Sequence, residues 1–152
     1  MVRYGLSLII FLAGIVLTIY ASGGNVWLYL DIPSLMMVGI FPFLFVSILD
    51  LFDNPGGFKK MALPFSIAFK KDTEKEELIE ALHFFRVYGK TTWVAGLIAV
   101  LIGVIAMLAN LEDRAALGPN LAVALISMLY SGIIQVVIIT PFQICIKKRL
   151  KK

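Results

Sequence analysis

Charged residues divide the chain into four long uncharged runs, at residues 4–30, 32–49, 91–111 and 115–146. A helix rising about 1.5 Å per residue needs about 20 apolar residues to cross a hydrocarbon layer about 30 Å thick, and the four runs meet that need. The pattern predicts an all-α membrane protein with four transmembrane helices, at about residues 4–22, 33–52, 91–110 and 119–146. The whole of 1–152 then forms one membrane domain, with one sizeable loop at 53–90.

The first run follows Met-Val-Arg as a secretory signal would. It is too long, and it ends without a clear small-residue cleavage site, so it is read as a retained span. Gly23-Gly24-Asn25 is a turn signal, and Trp27 and Tyr29 after it suit the head-group level. A second short connection covers Leu111 to Pro119, with Gly118-Pro119-Asn120 expected to open the last helix. Two short connections make two antiparallel hairpins.

Composition agrees, with 60% hydrophobic residues and a positive mean hydropathy of +0.92. Charge adds the orientation. Of 14 Lys and Arg residues, all but Arg114 fall at Arg3, in the 53–90 loop or in the tail from Lys147. Cytoplasmic segments hold such residues and short translocated loops exclude them, which places both termini and the loop in the cytoplasm of a bacterial inner membrane. The net charge of +4 then reflects topology and anionic head groups rather than nucleic-acid binding.

Within the loop, Asn54-Pro55-Gly56-Gly57 is a breaker cluster, and the mixture of aromatics and Lys pairs from Phe58 to Lys71 suits a membrane surface. Thr73 and Glu76 have capping-box spacing. Leu78, Leu82 and Phe85, with Ile79 beside them, give an apolar helical face that runs on into the third span. One helix is therefore expected from about Thr73 to Asn110, roughly 57 Å long, crossing the bilayer and extending into the cytoplasm.

Catalytic chemistry finds little support. His83 is the only histidine and Cys145 the only cysteine, so neither a usual acid–base constellation nor a disulfide or cysteine metal site can form within one chain. Glycine-rich phosphate loops do not occur. No enzyme, metal or cofactor is expected.

The spans carry a different pattern. Gly96, Ala99, Gly103, Ala106 and Asn110 make a flat face on the third span, where another helix can come close. On the fourth, Asn120, Ala124, Ser127, Ser131 and Gln135 share one face. Two readings stay open for that stripe, interhelical packing with hydrogen bonds or a polar path for an ion. Neither stripe holds a carboxylate, and Asp31 and Asp50 sit at opposite ends of the second span, so an ion path would need an acid from another chain.

The residue order resembles the MotA/TolQ/ExbB proton-channel family, most closely its four-span stator A subunits. The resemblance begins at Gly23-Gly24 and Asp31-Ile32-Pro33-Ser34 and is strongest from Gly96 to Pro141. IGVIAMLANLED at 102–113, LGPNLAVAL at 117–125 and Leu129-Tyr130 followed by Pro141 are its most specific parts. It implies a homopentamer around a dimer of a single-span MotB/ExbD-like partner, whose membrane aspartate carries a proton or, alternatively, sodium. It also implies that the third and fourth spans line the ring, with Gly96, Ala99, Gly103, Ala106 and Ala124 as packing positions and Ser127, Ser131 and Gln135 as ion-path candidates.

The chain departs from that pattern at Trp93, where the family has Pro, and at Val100 and Met128, where it has Thr. Its cytoplasmic loop is also short. A stator-like A subunit of an ion-driven motor is the expectation; the alternatives are a non-conducting five-fold membrane scaffold and a small helical transporter. Pro42 and Pro141, which would interrupt spans, are the one feature that suits the transporter.

Overall fold

The structure, a computed structural model, describes residues 2–53, 63–67 and 73–151. These form helices and turns in two compact units, Met1–Ile32 and Pro33–Lys152.

The first unit is helix α1 (Val2–Ala21) and a turn. Most of its apolar side chains are exposed, Leu17 and Ile9 among them. The hydroxyls of Thr18 and Ser22 donate back to the carbonyls of Gly14 and Thr18, so neither needs water. Gly23 ends the helix at φ +69°, a conformation that suits glycine. Its N–H donates to Tyr20 O and that of Gly24 to Ile19 O, the paired bonds that close a helix C-terminus. The expected turn is therefore present. Asn25 then accepts from Trp27 N–H and caps a 3₁₀ turn, Val26–Tyr29.

The second unit holds the other long helices. Helix α2 runs through Ile32–Leu35, a π-helical Met36–Ile40 and Phe41–Asp53. Helix α3 is the short Leu63–Ile67, and α4 is the 35-residue Lys75–Ala109. Helix α5 runs through Arg114–Ile134, a π-helical Gln135–Ile139 and Thr140–Leu150. Among the described residues, three stretches are long and apolar enough to cross a membrane, Ile32–Asp50, Lys75–Ala109 and Leu117–Leu150; Gly5–Ala21 in α1 is a shorter apolar helix. Their outward apolar side chains, from Phe45 on α2 to Ile105 on α4 and Leu125 on α5, far exceed what a soluble surface carries.

Contacts set the directions. Along α4, Gly89, Gly96 and Gly103 meet Gln135, Ser131 and Ala124 of α5 in falling order, so these two helices are antiparallel. Helix α2 runs with α5, since Ser34 meets Ser127 and Gly39 meets Ile134. At the end shared by the C-termini of α2 and α5 and the N-terminus of α4, Phe84, Phe85 and Tyr88 are buried in the core with aliphatic side chains such as Val46 and Ile146, and the rings of Phe43, Phe65 and Phe142 pack against them.

Several local expectations change. Helix α5 opens at Arg114, before Gly118-Pro119-Asn120, because Asp113 accepts from Ala115 N–H and caps it there; Pro119 lies inside the helix. The capping box does not form, as Glu74 occupies the cap position without a side-chain bond and Thr73 Oγ1 instead accepts from Arg149. Pro42 and Pro141 do not interrupt their helices. A proline lacks an N–H and crowds the carbonyl four residues back, and here a π-helical turn ends two residues before each one. Phe41 N–H reaches Met36 O and Thr140 N–H reaches Gln135 O, five residues back, and Thr140 Oγ1 donates to the same Gln135 carbonyl at 2.7 Å. Of the segment expected on the membrane surface, α3 packs inward, with Pro64 and Ile67 buried; the rest, and the Asn54–Gly57 cluster, lie outside the described residues.

Candidate functional site

The polar and small residues of the spans converge on one seam between α4, α5 and α2. Glycine sets how close α4 and α5 come. A Cβ at Gly103 would lie 2.6 Å from Ala124 Cβ, one at Gly89 would lie 2.9 Å from Gln135 Oε1, and one at Gly96 would collide with Ser131 Oγ. The three glycines are seven residues apart, two turns, the spacing that keeps one face against a slightly tilted neighbour.

Hydroxyls fill the space this leaves. Ser127, 2% exposed, has its Oγ 2.8 Å from Ser34 Oγ and 3.1 Å from Val123 O, donating to either. Ser131 is fully buried, with Thr92 O at 3.4 Å and Ser127 O at 3.1 Å as acceptors. Tyr88 Oη donates across to Gly39 O in the π-helical part of α2 at 3.2 Å. Gln135 Oε1, against Gly89, and Ser47 Oγ on α2 are buried without a hydrogen-bond partner.

The fourth-span stripe thus faces its own chain. Asn120 O and Ala124 meet Gly103, and Ser127, Ser131 and Gln135 meet α2 or α4. On α4, Gly96 and Gly103 belong to the same seam, Ala99 and Ala106 are half-buried, and Asn110 is exposed at the helix end. Trp93 points outward at 42% exposure, while Val100 and Met128 are half-buried. Sequence reasoning missed Gly89, Tyr88, Thr92 and Ser34 as seam residues. Gly89 continues the seven-residue spacing of Gly96 and Gly103, a signal that was present; Ser34 carried no local sign of its distant partner.

The seam contains no carboxylate, amine or imidazole. It can exchange hydrogen bonds but has no group of its own to hold a charge. Among the described residues, no cluster of three His, Cys, Asp or Glu could hold a metal.

Long apolar helices joined by small residues and buried hydroxyls define a helical membrane protein. Residues 61–152, which take in α3, α4 and α5, match the model of the MotA/TolQ/ExbB proton channel family, and the chain belongs to that family. It is 42% identical over 64 residues to Motility protein A of Borreliella burgdorferi, a stretch covering 42% of this chain and 25% of that protein. It is 37% identical over 76 residues to Chemotaxis protein PomA of Vibrio alginolyticus, covering 49% and 30%. Motility protein A of Aquifex aeolicus is 49% identical over 57 residues, covering 38% and 21%. The matched stretches thus span less than a third of these relatives' length.

Proposed function

We propose that this chain is a stator-like A subunit of an ion-driven inner-membrane motor. Five copies surround a dimer of a single-span partner whose membrane aspartate carries a proton, with sodium as the alternative ion. The subunit has four spans in two antiparallel hairpins, both termini in the cytoplasm, and passes force through the partner to a load in the envelope. The family match over α3, α4 and α5 supports this, and the uncharged seam is the observation that makes the partner's acid necessary.

The reason is energetic. A charge at the bilayer centre costs from about 2.5 to well above 10 kcal/mol, which hydroxyls alone do not offset. A carboxyl from the partner crosses in neutral form, and about 2.3 kcal/mol per charge per 100 mV then has a group to act on.

The scaffold reading is favoured by one observation. The Ser127 and Ser131 hydroxyls are buried and bonded within the chain, and Val100 and Met128 add no polar group.

Intact mass of the copurified complex and proton flux in vesicles test both readings. Five copies per complex are expected, with no flux from this chain alone and flux once the partner is present. A stable monomer rejects the ring, flux from the chain alone rejects the partner's role, and a silent full complex selects the scaffold. Gly103→Leu is unsuitable for testing the ring, since Gly103 faces Ala124 of its own chain. For orientation, a cysteine placed at Asn25 should react with impermeant thiol reagents from outside, and one at Lys75 should not.

A further inference from the structure

The last turns of α5 have two unlike faces. One faces protein: Phe142 stacks on Phe85 with ring centroids 4.9 Å apart, Gln143 Nε2 donates to Phe85 O, and Ile146 is fully buried. Arg149 completes it, donating from Nη1 to Ile67 O at 2.6 Å and from Nη2 to Thr73 Oγ1 at 3.1 Å. The other face holds Ile144, Lys147, Lys148 and Lys151, all exposed and spaced as i, i+3, i+4 and i+7. With half-buried Leu150 they line a concavity of about 330 Å³.

From this arrangement we propose that the concavity binds an anionic diacyl phospholipid, its head group on Lys147, Lys148 and Lys151 and an acyl chain against Ile144. Depth supports this occupant. The uncharged run of α5 ends at Ile146 and the first lysine follows at once. With about 1.5 Å of rise per residue, Ile144 to Lys151 covers about 10 Å, enough to pass from hydrocarbon through a head-group layer about 5–7 Å thick. Charge supports it too, since three ammonium groups on one helical face attract a phosphodiester, and the carbonyl end of the helix favours cations there. Arg149, the fourth cation of this stretch, is turned to Ile67 and Thr73 on the packing side.

The inference rests on α5 being a membrane span and is independent of ring size or ion flow. The test is native mass spectrometry of the purified full chain in mild detergent with dioleoyl phosphatidylglycerol or dioleoyl phosphatidylethanolamine added. Phosphatidylglycerol should be retained preferentially. The K147Q/K148Q/K151Q variant should retain on the order of a hundredfold less, as expected from three lysines that each contribute about fivefold. Soluble glycerol 3-phosphate should fail to compete, which separates a lipid from a free phosphate. K75Q/R86Q/K90Q, which removes exposed cations from α4, should retain phosphatidylglycerol like the parent. Equal retention of the two lipids, an unaffected K147Q/K148Q/K151Q variant, full competition by glycerol 3-phosphate or an equal loss in the α4 variant would each overturn the site. Failure of the chain to insert into lipid vesicles at all would instead overturn the span reading.

Discussion

The two ends of the helix pair α4 and α5 are held by opposite means. Toward the α4–α5 connection, Gly96 and Gly103 bring backbones together, and the contact is made of Ala124, Ser127 and Ser131. Toward the other end, six aromatic rings from α2, α3, α4 and α5 fill the space, with Phe85 and Phe142 stacked and most other pairs edge-on. The two contacts use different chemistry. Between helices in hydrocarbon there is no hydrophobic gain from hiding an apolar side chain, so association relies on close approach and hydrogen bonds. At the other end the ring contacts supply their own geometry, mostly edge-to-face with one stacked pair.

The largest effect is expected from Gly96→Leu. Even a Cβ there collides with Ser131 Oγ, and the neighbour is held by bonds to Thr92 O and Ser127 O, so the backbones must separate. Loss of the folded species in mild detergent, read by thermal unfolding, is the expected outcome; a near-native melting temperature would show that the seam is loosely packed.

Phe85→Ala should come next. Phe85 is fully buried and contacts Phe65, Phe84 and Phe142, so its removal leaves a cavity costing about 3–5 kcal/mol. Unfolding free energy of the reconstituted protein measures this, and a loss under about 1 kcal/mol would place the aromatic end in a setting more like lipid than water.

Ser127→Ala should matter least, about 0.6 kcal/mol, the average for an interhelical hydrogen bond in a membrane. The Ser34 hydroxyl keeps Val123 O as an acceptor at 3.5 Å, so the variant leaves no orphaned donor. If the same variant changes proton flux in the full complex while its stability moves this little, the seam is a path as well as a contact.

Much of the fold was legible before any contact was known. Charge-free run length marks out α2, α4 and α5 because the bilayer imposes a minimum length, and the ends of α4 come within two residues of expectation. Spacing on the fourth span put Asn120, Ala124, Ser127, Ser131 and Gln135 on one face, since helical geometry is local and repeats. Partners were not legible. Whether Gly103 meets another subunit or its own Ala124 depends on how α4 and α5 turn toward each other, which no spacing along one helix encodes. Ser34 is joined to Ser127 across 93 positions, and Thr73, one residue before the cap at Glu74, accepts from a distant Arg149. Prolines 42 and 141 look like breaks in a linear reading. They sit within continuous helices because a π-helical turn precedes each one and neighbouring helices pack around it, as Tyr88 does on Gly39. Sequence alone determined which long stretches are helical and which faces are small and polar, because both follow from short-range geometry and solvent. Tertiary structure alone decided what those faces touch, because that depends on the mutual rotation of whole helices.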